Sequence, residues 1–313
     1  MMLNYQKKQN FILSRREFLN LSITGLGVSA INTKVTNLKP NLRFGMITDM
    51  HFADVNSRGN RYYRQSLNKL TEFVQVMKDQ EVEFIIELGD FKDEDSPPNE
   101  NSTLKYLRRI EEEFRRGAKK TFHVLGNHDV DSISKAQFQS EITNTGIPNE
   151  HTFYSFVEED IQFILLDANY RSDGKSYDRG NFDWTDSNIP QNQLKWLRHK
   201  LEKNSLYNIV FVHQLLDGEG SHFINNASEV RQILERSKKV LAVFNGHQHT
   251  GRYNIINDIH YYTLKAVVEG QGTENNAYAI VEISANNNII INGYRRVKTE
   301  VLQLSVSKAK CYS

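Results

Sequence analysis

Nine residues in five short clusters carry the chemistry open to this chain: Asp49 and His51; Asp90; Asn127, His128 and Asp129; His213; and His247 and His249. Each cluster closes a run of β-favouring apolar residues, so each carboxylate, amide or imidazole is expected where a strand ends and a loop begins. Open α/β sheets place their sites there. A lone Asp-X-His or Gly-Asp is an ordinary turn. Five clusters in this order, of residue types that suit divalent cations and with Gly89, Gly126 and Gly246 placed for close backbone approach, point to a metal site.

Two cations about 3.5 to 4 Å apart lower the pKa of a bridging water and clamp a phosphate, the two needs of phosphate-ester hydrolysis. Asp49 and His51, two positions apart on an extended strand end, can project to one side and share an ion. Asp90 has two carboxylate oxygens and is the natural bridge. Asn127 offers a neutral amide oxygen to the second ion, and His213 completes that shell. The alternate imidazoles of Gly246-His247-Gln248-His249 can serve different ions, His247 the second and His249 the first. Oxygen and imidazole donors without thiolate admit Mn, Fe, Zn, Co or Ni.

The elements that must position these groups follow from the hydrophobic periodicity. Strand Arg43 to Thr48, helix Tyr62 to Lys78, strand Glu83 to Leu88, helix Ser102 to Arg116 and strand Thr121 to Leu125 make a βαβαβ run, which argues for a right-handed, largely parallel sheet. A hairpin (Thr152 to Val157, Ile161 to Asp167) leads to a helix from Gln191 to Lys203 and a strand Asn208 to Val212. A helix from Ala227 to Arg236 precedes strand Val240 to Asn245, and four short β runs finish the pattern between Arg252 and Tyr294. Two βα halves ending in antiparallel strands imply an α/β fold of two packed sheets flanked by helices. The irregular stretch Asn169 to Pro190 holds Phe182 and Trp184, whose aromatic bulk argues for packing as a wall or lid of the site.

A chain of 313 residues with 39% hydrophobic content supports one large domain, expected over 42–300 with a tail at 301–313. The net charge of +1, with both signs interspersed, gives no broad surface for a nucleic-acid backbone, so a nucleic-acid polymer is a poor partner and a small phosphorylated molecule a better one. The single cysteine, Cys311, allows neither an internal disulfide nor a thiolate metal site. Residues 1–35 read separately: Lys7 and Lys8 precede Ser14-Arg15-Arg16-Glu17-Phe18-Leu19 and a weakly apolar run to Ala30. This resembles a twin-arginine export signal, which implies a periplasmic or exported protein carried out already folded; a basic arm would leave it cytoplasmic. Loss of residues 1–30 would lower the net charge to −2. The apolar run is too short to span a bilayer, and no transmembrane segment follows.

The ligand set and its order resemble the calcineurin-like metallophosphoesterases, over nearly all of the chain from Leu42 to about Val297. The resemblance implies a four-layer αββα sandwich of two mixed sheets, two divalent ions, and in-line attack of a metal-bridging hydroxide with no phosphoenzyme. It also implies that His128 is not a ligand but stabilises the transition state or protonates the leaving oxygen, with Asp129 orienting it. Purple acid phosphatases carry tyrosine three positions after the bridging aspartate; here Asp93 stands there, so their chromophore is not expected. A closer resemblance, to manganese-dependent ADP-ribose/CDP-alcohol diphosphatases, is carried by Gly59-Asn60-Arg61-Tyr62-Tyr63-Arg64-Gln65-Ser66-Leu67, by Leu88 to Asp93 and by Leu264 to Gly270. It makes Mn the expected metal and a nucleotide-type diphosphate the expected substrate. Those enzymes commonly have glutamine in place of His51 and glutamate in place of Asp129, so a phosphomonoesterase is the alternative, ahead of a nuclease or a non-catalytic binding protein.

Arg61 and Arg64 are candidates to pair with a substrate phosphate, or else to form salt bridges at a helix start. Trp184 is a candidate to stack on a base or ring. His222, in the loop after His213, is a candidate to meet substrate phosphate, while His123, His151, His199 and His260 default to surface or satisfied core positions.

Overall fold

The computed structural model describes residues 42–203 and 205–303. The segment read as a twin-arginine signal, and Cys311, lie outside them. Two six-stranded mixed sheets form the frame, and each puts its parallel strands where the site needs them. In the first, β1 (Leu42–Ile47), β2 (Phe84–Glu87) and β3 (Thr121–His123) run parallel. Strands β10 (Ala277–Ile283), β11 (Ile289–Arg295) and β12 (Glu300–Leu302) extend it antiparallel from β1, in the order β12-β11-β10-β1-β2-β3. The second has the order β4-β5-β6-β7-β9-β8. Its parallel centre is β5 (Ile161–Leu165), β6 (Tyr207–Phe211), β7 (Val240–Asn245) and β9 (Ile259–Thr263), edged by antiparallel β4 (Tyr154–Glu158) and β8 (Arg252–Ile256).

The sheets face each other across a core rich in phenylalanine: Phe44, Phe84, Phe122, Phe163, Phe211 and Phe244 are all buried there. Phe44 and Phe84, on adjacent strands, stack with centroids 4.8 Å apart, and Phe44 meets Phe163 of the other sheet edge-on at 5.6 Å. Helices α1 (Ser66–Asp79), α2 (Glu100–Phe114) and α3 (Lys135–Glu141) cover the outer face of the first sheet through Leu70, Phe73, Leu107, Ile110 and Phe138. Helices α4 (Gln191–Lys203) and α5 (Ala227–Ser237) cover the second through Leu194, Leu197, Val230 and Leu234. These apolar positions recur at three- and four-residue spacing, one buried stripe per helix. The result is the expected αββα sandwich, since each sheet buries both faces.

Two elements escape the hydrophobic pattern. Helix α3 has two turns only, too short to display a period; its signature is the capping box, in which Ser134 and Gln137 satisfy each other's backbone N–H. Strand β12 has three residues and carries the sheet two residues past the boundary expected at 300.

Candidate metal centre

All five clusters lie just beyond the C-terminal ends of parallel strands: β1, β2 and β3 from one sheet, β6 and β7 from the other. Adjacent strand ends are tied by their backbones. The Asp49 and His51 N–H groups donate to the Gly89 and Asp90 carbonyls at 3.0 and 2.9 Å, and Gly246 N–H donates to His213 O at 3.1 Å. Sharp turns at these ends force Asp49, His51, Asp90 and His247 to positive φ (51°, 43°, 58° and 67°). A non-glycine residue held there costs on the order of 1–3 kcal/mol, and such residues cluster at working sites. Two glycines allow the packing. A β-carbon on Gly89 (φ 101°) would sit 2.4 Å from His213 Nδ1, and one on Gly126 would sit 2.1 Å from the Asp90 backbone nitrogen.

Two groups of donor atoms result. In one, Asp49 Oδ1 lies 3.9 Å from His51 Nε2 and 3.5 Å from His249 Nε2, with the two Nε2 atoms 3.3 Å apart. In the other, Asp90 Oδ2 lies 3.1 Å from His213 Nε2 and within ligand-sharing distance of His247; the same oxygen is 3.5 Å from His51 Nε2, so Asp90 joins the groups. Asn127 Oδ1 and His247 Nε2 are buried without a hydrogen-bond partner among the described residues. Left empty, such atoms carry a full desolvation penalty.

The far side of three imidazoles is occupied. His51 Nδ1 is 3.0 Å from Asp93 Oδ2, His213 Nδ1 is 2.8 Å from the Leu88 carbonyl, and His249 Nδ1 is 2.7 Å from Glu269 Oε1. A proton on each Nδ1 would leave each Nε2 lone pair turned inward, the tautomer a metal requires; without an ion, burial opposes a charge on His213 but the Asp90 carboxylate prevails and raises its pKa to about 10. Burial lowers the pKa of His51 and of His247, the latter helped by charge on His213, which favours neutral, ligating rings. Burial would raise the Asp90 carboxyl, but the charges of His213 and His128 outweigh it and hold Asp90 well below the carboxylate range. For Asp93, too, burial is outweighed, by the His51 bond and the His128 charge, and its pKa falls to about 2. Paired imidazoles, an ionised shared carboxylate and orphaned buried acceptors fit two divalent cations.

His128 lies beside this donor set, its ring edge-on to His51 at 4.7 Å. Its expected partner is corrected here. Asp129 does not orient it: the Asp129 carboxylate accepts N–H bonds from Gly126 (2.8 Å), Asp90 (3.0 Å), Phe91 (2.9 Å) and Lys92 (3.4 Å), tying the β3 end to the β2 end. The carboxylates facing His128 Nδ1 are Asp93 and Asp131, each at 3.8 Å. Burial opposes a charge on His128, but Asp90, Asp131 and Asp93 prevail and raise its pKa to about 9. Asp131 in turn holds the fully buried Lys92 ammonium.

The remaining candidates divide. Arg64 is engaged by Asp54 and by Asn56 (2.9 Å), so the salt-bridge alternative holds for it. Arg61, partly exposed at the edge of the cleft, pairs with Glu269, Nε 3.8 Å from Oε1. Trp184 and His222 both reach His247, at centroid distances of 6.3 and 5.3 Å, and Phe182 reaches His128 at 5.5 Å. The 169–190 stretch therefore walls the site, anchored by buried Tyr177, whose hydroxyl donates to the Asp183 and Asp186 carbonyls. His123 is core, between Glu87 and Glu111. A cleft of about 910 Å³ opens from His128 and Asp93 towards Arg58, Arg61 and Tyr63. Sequence reasoning missed Asp93, Asp131 and Glu269 as partners of the site histidines; the first and last lie within Leu88–Asp93 and Leu264–Gly270, with nothing to mark them as partners of distant rings.

Residues 42–251 match the calcineurin-like phosphoesterase family, and the chain belongs to it. With the donor groups in place, it is a metal-dependent phosphoester hydrolase. It is similar to the manganese-dependent ADP-ribose/CDP-alcohol diphosphatases of Oryza sativa (24% identity, 84% of this chain and 94% of that protein) and Xenopus laevis (25%, 80% and 87%). Among solved structures, a dimetal phosphatase from Danio rerio shares the fold, with a TM-score of 0.74 at 20% identity, over 85% of this chain and all of that one.

Proposed function

We propose that this protein hydrolyses the phosphoanhydride bond of small nucleotide-type diphosphates, with manganese as its metal. The observation that carries the reading is the cleft of about 910 Å³ that opens beside the donor groups at His128 and Asp93 and runs to the Arg58–Arg61 turn, with room for a substrate longer than a monoester and with the guanidinium groups of Arg58 and Arg61 at its far end, among the acids Asp54, Glu94 and Asp95. The names of the rice and Xenopus relatives support the same substrate class and metal.

In this reading Asp49, His51 and His249 would hold one ion and Asn127, His213 and His247 the other, with Asp90 placed to serve both. Two bound divalent ions would supply a nucleophilic water at neutral pH and positive charge for the phosphoryl oxygens. The protein's own groups do the rest. His128, favoured in its protonated form by Asp90 and by Asp131 and Asp93 behind its Nδ1, would present Nε2 to the leaving oxygen as acid. Phe182 and Trp184 place apolar rings against His128 and His247 on either side of the donor groups. The segment around Arg15 and Arg16 supports export of the folded, metal-loaded enzyme.

The test is kcat/KM of the full chain with Mn²⁺ for ADP-ribose and for p-nitrophenyl phosphate, beside an Asp90→Ala control. The expected result is at least a tenfold preference for ADP-ribose that vanishes in the control. A preference for the monoester makes the enzyme a phosphomonoesterase and overturns the diphosphate reading.

A further inference from the structure

Lysine almost never lies fully buried without a partner for its charge. Lys69 of α1 is completely buried, and its ammonium has no carboxylate against it among the described residues; its three protons go instead to three backbone carbonyls, Val267 (2.6 Å), Glu269 (3.0 Å) and Gly270 (2.7 Å). Burial, helped by the nearby charge of Arg296, lowers its pKa to about 8 against the pull of Glu269 and Glu274. A buried apolar residue would fill the space at less cost, so the tripod of bonds is what the site gains.

The connection so gripped, between β9 and β10, touches both loops that carry one donor group. The Val268 N–H donates to the Asp49 carbonyl at 3.1 Å and Ala266 N–H to the His249 carbonyl at 3.1 Å. Glu269 Oε1 meets His249 Nδ1 at 2.7 Å, while Glu269 Oε2 accepts from Asn60 Nδ2 at 2.8 Å. No comparable bond runs from this connection to His213, His247 or Asn127 among the described residues. Three fixed carbonyls in four residues leave the Glu269 side chain little freedom except towards His249.

We propose that Lys69 is a positioning residue for the Asp49/His51/His249 ion alone, acting through the Val267–Gly270 connection and the Glu269 carboxylate on His249. The inference rests on the two-ion reading above. Residues that orient a metal-binding imidazole are typically worth 10–100-fold in metal affinity.

The test is Mn²⁺ binding to the full chain, followed as loss of the free-ion electron paramagnetic resonance signal. Wild type binds two ions per chain; fewer would overturn the two-ion reading itself and not the assignment of Lys69. In a His213→Ala background, which keeps the Asp49/His51/His249 ion, Lys69→Met weakens binding about tenfold. In a His51→Ala background the same change leaves the remaining ion unaltered. Glu269→Gln, which disturbs no core packing, shows the same selectivity, and the double variant Lys69→Met/Glu269→Gln is no weaker than the weaker single, because both act through one contact. Equal losses in both backgrounds would make Lys69 a general stabiliser, and no loss, or no selectivity in Glu269→Gln, would equally overturn the proposal.

Discussion

Asp129→Asn separates the role the structure gives this residue from the role its place beside His128 suggests. The carboxylate is fully buried and each oxygen accepts two backbone N–H groups, Phe91 and Lys92 on Oδ1, Asp90 and Gly126 on Oδ2. Burial and the charge on Asp90 raise its pKa, while Lys92 and the N–H of Gly126 oppose the rise. An isosteric amide has one oxygen, so one pair of N–H groups keeps its acceptor and the other faces an NH₂. Two orphaned buried donors at about 1–3 kcal/mol each cost roughly 2–6 kcal/mol. For a domain of this size 1 kcal/mol moves Tm by roughly 2–4 °C, so the expected fall is on the order of 10 °C. Scanning calorimetry of the full chain in EDTA reads it without a contribution from bound ions. The β2 end, and Asp90 with it, should loosen too, so Mn²⁺ affinity falls alongside Tm. A variant whose Tm stays within about 2 °C of wild type while kcat drops a hundredfold would show that Asp129 acts on His128 after all, and the reasoning would fail.

Two further outcomes follow from buried groups and ring contacts. Burial works against a charged His123, but Glu111 and then Glu87 raise it to about 9, above its ordinary 6.5; Glu87 itself is raised by burial to about 8 from 4.5. Both groups bind their protons more tightly in the fold, so the stability they contribute is complete below their unfolded values and is lost as pH rises through 8 and 9. Urea unfolding between pH 6 and 9 should show falling stability in wild type and a shallower slope in His123→Gln, whereas a flat wild-type profile would contradict the assignment. Of the two tryptophans, Trp184 lies 6.3 Å from His247 and Trp196 packs on Phe153. Added Mn²⁺, a paramagnetic quencher, should therefore dim the emission of wild type and spare that of Trp184→Phe; equal quenching in both would mean that the 169–190 wall does not close on the site.

The donor set was legible because strands announce their ends: apolar runs stop at Thr48, Leu88, Leu125, Val212 and Asn245, and the polar residues that follow share one edge of each sheet. What lay behind the donors was not legible, for a geometric reason. After β3 the chain enters a 3₁₀ turn over His128–Val130, with three residues per turn. Neighbours in such a turn point about 120° apart, so Asp129 swings towards β2 while Asp131, three positions on, returns to the face of His128. Adjacency in the tetrapeptide Gly126-Asn127-His128-Asp129 suggested the wrong pair. Partners far apart in the chain leave no local trace at all: Glu269 serves His249 from twenty residues away, and Lys69 grips carbonyls about two hundred residues further along.

The same arrangement settles where negative charge belongs in the site. Two divalent ions would bring four positive charges, and of the seven donor residues only Asp49 and Asp90 are anionic, so a net charge of two would remain to draw in a phosphoryl group. Replacing Asn127 or one of the imidazoles by a carboxylate would bind the ions harder and blunt that attraction. The other nearby acids are kept one residue back. Asp93 and Glu269 contact the Nδ1 atoms of His51 and His249, where they would strengthen the rings as ligands. Burial matters for the same reason, since buried charge is screened less than charge at the surface. Strained backbone at Asp49, His51, Asp90 and His247 is then intelligible: β1, β2 and β7 have ended before these residues, and the sharp turns beyond the strand ends bring donors from two sheets onto a common centre.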